Sequence, residues 1–300
     1  MSARRSATVE GDGMFDEAEL AVLRRAYARQ VTFLGNARNA ALERAYADVP
    51  REAYLGPGPW PILRWPGYTS TPDADPAWLY SDILVGILPE RHLNNGQPSA
   101  HALWISAAAP SRGEHVVHVG AGVGYFSAIM AHMVGSTGAV TAIEYDPQLA
   151  ARAASNFAHL PNVEVLQGDG SVTPFAPADV IYVNAGACRP ADAWLDGLKE
   201  GGRLILPLTT ARNFAGPLEF SRPSGAVFRI TRRGDDYDAD FVGPIKVFPC
   251  EGMRDEASEQ ALAAAFEKGG YRDVKRLRRT DDVPEEECWV KASGWSLTYH

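Results

Sequence analysis

The residues best placed to do chemistry are glycines and carboxylates rather than an acid–base pair. His118-Val119-Gly120-Ala121-Gly122-Val123-Gly124-Tyr125 stands between a short apolar run and a helical pattern. Glycines there let the backbone turn tightly and approach a ligand, while the next helix offers free N–H groups. The same loop also reads as a plain tight turn between a strand and a helix. About twenty residues further on, Ala142-Ile143-Glu144-Tyr145-Asp146 closes another apolar run. Glu144 at that distance can accept hydrogen bonds from both hydroxyls of a ribose, or it is a strand-end glutamate facing solvent. Gly168-Asp169-Gly170 follows a third run. A small turn of this kind carries a carboxylate to the rim of an adenine, or is simply an Asp-Gly turn. The glycine spacing is GxGxG rather than the GxGxxG of dinucleotide sites, which turns the reading away from NAD.

Those residues need a scaffold that brings strand ends together. From Glu114 onward, apolar runs over 115–119, 139–143, 163–166, 180–183 and 203–208 alternate with helical patterns over 125–134, 147–158 and 191–198. Continuous Val/Ile/Leu strands between helices predict an α/β fold, a mostly parallel Rossmann-like sheet covered on both faces. Asp146 is the expected N-cap of its helix, with Pro147 in the first helical position. Open α/β sheets bind ligands outside the C-terminal ends of their strands, where the glycine loop, Glu144 and Asp169 all fall.

The flanks read differently. Residues 19–49 predict two helices broken near Gly35, an N-terminal helical cap. Residues 56–76 are dense in proline and tryptophan and predict an irregular loop, in which Trp60 and Trp65 either pin the loop or line a cleft. Beyond Pro207, strands over 218–220, 227–231 and 241–248 extend the sheet in antiparallel fashion. A helix over 256–268 stops at Gly269, before a strand over 274–277 and a buried aromatic tail with Trp289 and Trp295. The expected segments are thus a disordered lead (1–15), the cap and Pro/Trp stretch (16–112), the core (113–210) and the sheet extension (211–300).

Composition narrows the partners. The chain has 300 residues, 46% hydrophobic and 22% charged, which suits a globular protein with a large core. No run reaches the roughly eighteen apolar residues of a membrane span, so no membrane partner is expected. The start of the chain lacks the apolar region of a secretory signal. A net charge of -8 disfavours nucleic acid, and the basic cluster at 275–279 reads as the solvated face of a strand. Cys188, Cys250 and Cys288 lie far apart, predicting neither a metal site nor disulfides, and a cytoplasmic location fits. The sequence leaves the oligomeric state open.

Taken together, Val49-Pro50-Arg51-Glu52-Ala53-Tyr54, Gly96-Gln97, the glycine loop, Ile143-Glu144, Gly168-Asp169-Gly170 and Gly201-Gly202-Arg203-Leu204-Ile205-Leu206-Pro207 resemble the protein-L-isoaspartate O-methyltransferase family. The likeness runs from about Tyr27 to Leu208. It implies a class I methyltransferase fold, S-adenosyl-L-methionine as donor with S-adenosyl-L-homocysteine as product, and a peptide carboxylate as acceptor. Gly120, Gly122 and Gly124 would then hold the methionine end, Glu144 with Tyr145 the ribose, and Asp169 with Gly170 the adenine. The family has an acidic residue where this chain has His118, which would either accept a hydrogen bond near the cofactor or be a structural histidine. In place of the family's Gly-Gln-Thr-Ile-Ser loop stands Gly96-Gln97-Pro98-Ser99-Ala100-His101. Ser99 is the expected acceptor-side hydroxyl, or else a helix N-cap, with His101 nearby.

Methyl transfer from a sulfonium is an in-line displacement, and a carboxylate acceptor is already ionised at neutral pH, so no strong base is required. Ser99, Gln97 and the backbone around Asn184 and Ala185 are expected to hold the acceptor. Two other readings stay open: a methyltransferase for another peptide or small-molecule acceptor, and a catalytically silent cofactor-binding or interaction module.

Overall fold

The structure is a computed structural model that describes residues 15–64, 67–210, 225–250 and 252–300. Trp65, the expected strand at 218–220 and all but the last residue of the expected lead lie outside them.

The first helices are α1 (Glu17–Leu34), α2 (Ala40–Asp48) and α3 (Glu52–Leu55). Asp16 opens α1 with a capping box completed by Glu19, and Asn39 caps α2 through the N–H groups of Ala41 and Leu42. The expected break near Gly35 is therefore present. Two hairpins follow, β1 (Pro61–Arg64) with β2 (Gly67–Ser70), and β3 (Gly86–Leu88) with β4 (Leu93–Asn94). The first corrects the expectation of irregular chain over 56–76. Pro61 stands at the first position of an isolated two-stranded pair, where a missing N–H costs no internal ladder bond. Trp60 is buried and donates its indole N–H to Gly56 O, so it pins the loop.

Helix α4 (Pro98–Ala108) leads into the core: β5 (His115–Val119), α5 (Tyr125–Val134), β6 (Ala139–Glu144), α6 (Pro147–Asn156), β7 (Val163–Gln167), β8 (Ala178–Val183), α7 (Asp192–Gly197) and β9 (Leu198–Thr209). After it come β10 (Gly225–Arg233), β11 (Asp236–Pro244), α8 (Glu256–Lys268), β12 (Arg276–Arg278), β13 (Cys288–Ala292) and β14 (Trp295–Thr298). One ten-stranded sheet runs β13-β14-β12-β11-β10-β9-β8-β5-β6-β7. Pairing is parallel from β7 to β9 and antiparallel from β9 onward, as expected. Strand β11 ends at Pro244 rather than running to 248, the strand expected over 274–277 is β12 and begins at Arg276, and the aromatic tail adds two further strands, β13 and β14.

Alternation along the strands sorts the core into two layers. Val116, Val140, Ala142, Val180 and Tyr182 pack against α1, α2, α4, α5 and α6. Val117, Val119, Ile143, Ile181 and Val183 pack against Trp194 and Leu195 of α7 and Leu262, Ala265 and Phe266 of α8. A parallel sheet covered on both faces needs strands apolar on both faces, which is why these segments read as unbroken apolar runs. Trp289 and Trp295 are buried in the second layer, so the aromatic tail belongs to the core.

Candidate active site

The glycine turn leaves β5 and enters α5. Gly120 has φ +77°, and a Cβ there would lie 3.1 Å from Asn184 O, so the turn is pressed against the end of β8. Gly124 has φ +94° and forms the N-terminus of α5, where a Cβ would lie 2.2 Å from Phe157 Cζ. That glycine is therefore demanded by helix packing and not only by ligand approach. Between them, the Gly122 N–H donates to Glu144 Oε2 at 2.6 Å, and Asp146 N–H donates to Glu144 Oε1 at 2.9 Å. Glu144 is only 7% exposed, and burial pushes its carboxyl above the ordinary value, opposed by those two N–H groups. Each of its oxygens keeps a further lone pair.

Gly170 backs onto the end of β5, since a Cβ on it would lie 2.4 Å from Val119 Cγ1. Its carbonyl accepts the Trp194 indole N–H at 2.7 Å. Asp169 Oδ1 accepts from Ser171 N (2.8 Å) and Ser171 Oγ (2.7 Å), a local turn that fixes the carboxylate. Asn184 donates from its side chain to Gly120 O at 3.3 Å, and Ala185 stands beside the same glycine. Gly120, Gly122, Glu144, Asp169, Gly170, Asn184 and Ala185 thus gather at the C-terminal edge of β5, β6, β7 and β8. Tyr145 is exposed at the rim, and its carbonyl accepts from Gln167 Nε2 at 2.9 Å.

Two histidines lie beneath this edge rather than in it. His118 is fully buried, with Nδ1 2.7 Å from Ser127 Oγ and its ring edge-on to Tyr182. Burial pushes its pKa down to about 3, so it is neutral and cannot repel a cationic ligand. His101 is also buried, stacked on Phe126 at 3.5 Å between ring centroids, with Nδ1 2.7 Å from the Tyr182 hydroxyl. It supports the turn above it, where a Cβ on Gly96 would fall 2.2 Å from His101 Nε2.

The acceptor-side turn departs most from expectation. Helix α4 starts at Pro98 with Gln97 as its N-cap residue, so Ser99 lies inside the first turn and is not the N-cap. Its hydroxyl and amide donate to Asp82 at 2.6 and 2.8 Å, and Gln97 Nε2 donates to the same carboxylate at 2.8 Å. These donors serve Asp82, which carries no signal in the sequence.

Further neighbours escaped the sequence reading. Hairpin β3–β4 lies over the glycine turn, with Ile87 Cδ1 3.4 Å from a Cβ built on Gly122. It is tied to α6 by Arg152 Nη1 donating to Ile87 O at 3.0 Å and by an Arg91–Asp146 ion pair. A Cβ on Gly252 would lie 2.4 Å from Asp169 Oδ2, so the chain after β11 returns to the same edge. None of these contacts has a local pattern, because each joins residues far apart in sequence.

A ten-stranded Rossmann-like sheet with a glycine turn, a strand-end glutamate and an acidic turn on adjacent strand ends defines the class I methyltransferase fold. The sequence model described as "Protein-L-isoaspartate(D-aspartate) O-methyltransferase (PCMT)" matches residues 77–224. Protein-L-isoaspartate O-methyltransferase 1 of Rhodopseudomonas palustris is 35% identical over 240 residues, covering 78% of this chain and 84% of that protein. Protein-L-isoaspartate O-methyltransferase of Thermotoga maritima is 31% identical over 173 residues, covering 56% and 50%. A solved protein-L-isoaspartate O-methyltransferase superposes with TM-score 0.60 at 24% identity, covering 75% of this chain and 66% of that one. A Plasmodium falciparum structure, titled a putative protein-L-isoaspartate O-methyltransferase in complex with S-adenosyl-L-homocysteine, gives 0.58 at 17% identity, covering 76% and 98%. The chain belongs to the protein-L-isoaspartate O-methyltransferase family. It spans about half the length of the first curated relatives it matches.

Proposed function

We propose that this chain transfers a methyl group from S-adenosyl-L-methionine to a carboxylate of a peptide or protein, with isoaspartyl residues as the acceptor class. The observation that carries the reading is the coupling of Glu144 to the glycine turn through the Gly122 N–H, on the strand adjacent to the Asp169 turn. The residues fit the donor: Gly120 forms a cradle that a Cβ would fill, and Glu144 retains acceptor lone pairs for a ribose diol. When bound, the donor supplies an electrophilic methyl on a sulfonium. Gly120 and Gly122 receive its methionine end, Glu144 with Tyr145 at the rim the ribose, and Asp169 with Gly170 the adenine. Gly124 acts through packing, and neutral His118 supports the turn from below.

The backbone at Asn184 and Ala185, beside Gly120, is the reading's seat for the acceptor carboxylate, with the Gln97–Ser99 turn shaping the opposite wall. Hairpin β3–β4 places Ile87 over Gly122. Ionised carboxylates need alignment more than deprotonation, so the reading requires no strong base. The reading also puts the protein in the cytoplasm, in keeping with three cysteines that lie far apart in the sequence without metal-site spacing. Among the described residues no helix is long and apolar enough to cross a membrane, and no His/Cys/Asp/Glu cluster suits a metal. The functional division keeps 16–112 as the acceptor-side cap, 113–210 as the cofactor core and 211–300 as the extension.

One observation favours a different acceptor. With Asp82 taking the donors of Gln97 and Ser99, that turn presents an anion and not a carboxylate cradle. Methylation of an isoaspartyl peptide with labelled donor decides the matter. Transfer to the isoaspartyl but not the aspartyl peptide is expected; binding of S-adenosyl-L-homocysteine without transfer would point to another acceptor, and failure to bind it would end the methyltransferase reading.

A further inference from the structure

A fully buried arginine and a half-buried aspartate, neither used by the site as described, lie in one chain of contacts that ends at the acceptor-side turn. Arg51 follows α2 and is wholly enclosed. Its guanidinium donates to Leu79 O (2.8 Å), Ser81 O (3.2 Å) and Ile83 O (2.8 Å). Its central carbon also lies 6.0 Å from the ring centroids of both Tyr27 and Tyr125. Enclosing a cation is costly unless its donors are satisfied, and here main-chain carbonyls satisfy most of them. Two of those carbonyls, on Ser81 and Ile83, flank Asp82, so the arginine grips the backbone on either side of the carboxylate. The Asp82 carboxylate in turn takes Gln97 Nε2, Ser99 N and Ser99 Oγ, all within 2.8 Å.

We infer that Asp82 is a positioning residue for the acceptor side: held in register by Arg51, it takes the donors of Gln97 and Ser99 and thereby sets the first turn of α4. The inference rests on the proposed carboxyl methylation for its catalytic consequence, but the geometry it asserts is independent of the acceptor. One carboxylate bonded to a side-chain amide, a main-chain amide and a hydroxyl fixes the rotamers of Gln97 and Ser99 together. The turn also acquires a definite polarity. The Ser99 proton points to Asp82, so the serine oxygen faces its surroundings as an acceptor. A substrate amide N–H suits that surface better than a second carboxylate. This assigns the acceptor carboxylate to the Asn184–Ala185 side and the peptide main chain to the Ser99 side.

The test uses the full chain with Asp82→Asn, which keeps size but replaces one acceptor oxygen by a donor, and Arg51→Lys, which keeps charge but loses the fork. Four quantities are read: kcat and KM for an isoaspartyl peptide, the affinity for S-adenosyl-L-homocysteine, and amide hydrogen exchange over residues 97–103. Asp82→Asn is expected to lower peptide kcat/KM by about tenfold or more, leave S-adenosyl-L-homocysteine affinity within about twofold, and speed exchange in the first turn of α4 while sparing 120–124. Adding Asp82→Asn to a Gln97→Ala/Ser99→Ala background is expected to cause little further loss, because the aspartate acts through those residues. Unchanged exchange over 97–103 overturns the inference. So does a parallel loss of cofactor affinity, or multiplicative effects in the combined variant. Should wild-type protein bind the product yet methylate no isoaspartyl peptide, the functional reading fails, while the exchange pattern still decides the role of Asp82. If Arg51→Lys does not fold, Asp82→Asn alone carries the test.

Discussion

The two walls of the site are built by different physics. The wall proposed for the cofactor consists of strand ends: Gly120 follows β5, Glu144 closes β6, Asp169 follows β7 and Asn184 follows β8. Parallel pairing places those ends side by side, so backbone hydrogen bonding alone aligns the residues. The acceptor wall has no such frame. Arg51, Asp82 and the Gln97–Ser99 turn come from three separate segments and meet through hydrogen bonds that each involve a side chain. A wall made of strand ends is altered by changing its backbone; a wall made of side-chain contacts is altered by changing a single proton or oxygen.

The comparison can be broken most severely at Gly124. An alanine there must adopt φ +94° with its Cβ 2.2 Å from Phe157, so Gly124→Ala should destabilise the protein by about 3 kcal/mol. Gly201, at φ +72° with nothing within 4 Å of its Cβ, is the control, and Gly201→Ala should cost about 1 kcal/mol. Urea midpoints measure both; equal losses would show that strain alone, not packing behind the glycine turn, makes Gly124 necessary.

At Glu144 the cofactor wall should lose function without losing its frame. Glu144→Gln is expected to weaken S-adenosyl-L-homocysteine binding by about ten- to hundredfold by calorimetry while peptide-side parameters at saturating donor change little. A comparable effect on peptide KM would mean that the two walls are not separable.

His118 sharpens the picture from below. Its pKa near 3 in the folded chain lies under the unfolded value of about 6.5, so the unfolded state binds the proton first. Its contribution to stability is therefore complete above about pH 6.5 and is lost as pH falls toward 3. His101, also depressed by burial, acts in the same direction. His118→Asn should reduce the acid slope of stability by up to about 1.4 kcal/mol per pH unit between pH 6 and 4. Denaturant titrations at several pH values check this, and an unchanged slope would refute it.

The smallest expected effect is at Ser99. Ser99→Ala leaves Asp82 with the Ser99 amide and Gln97, so peptide kcat/KM should fall only a few-fold, about 1 kcal/mol, with cofactor affinity intact. A loss of hundredfold or more would make the hydroxyl a direct partner of the reacting group.

Much of the cofactor wall was legible because its residues sit at fixed offsets from strand ends. The GxGxG turn, Glu144 and Gly168-Asp169-Gly170 each follow an apolar run, and parallel pairing then leaves little freedom in where they meet. His118 was legible as a departure but not as a buried ring. The alternation of Val117, His118 and Val119 shows which face each side chain takes, yet only the packing of Ser127 and Tyr182 reveals that the face is sealed. Ser99 was ambiguous for a related reason: a hydroxyl near a helix start resembles an N-cap, whereas the helix begins at Pro98, two residues earlier than a Ser99 cap requires. The pairing of β1 with β2 was hidden by the density of prolines in that stretch; Pro61 itself sits at the first position of β1, where a missing N–H costs no internal ladder bond.

By itself, the order of apolar runs, caps and glycines determined the α/β architecture and the strand ends at which the glycine turn, Glu144 and Asp169 meet, because hydrophobic periodicity and backbone conformation are local properties. Only the tertiary structure decided that Asp82 takes the donors of Gln97 and Ser99, that Arg51 holds its loop, and that β3–β4 and Gly252 close on the glycine and Asp169 turns. Those contacts join residues with no fixed spacing, and their hydrogen bonds exist only after the helices and strands have packed.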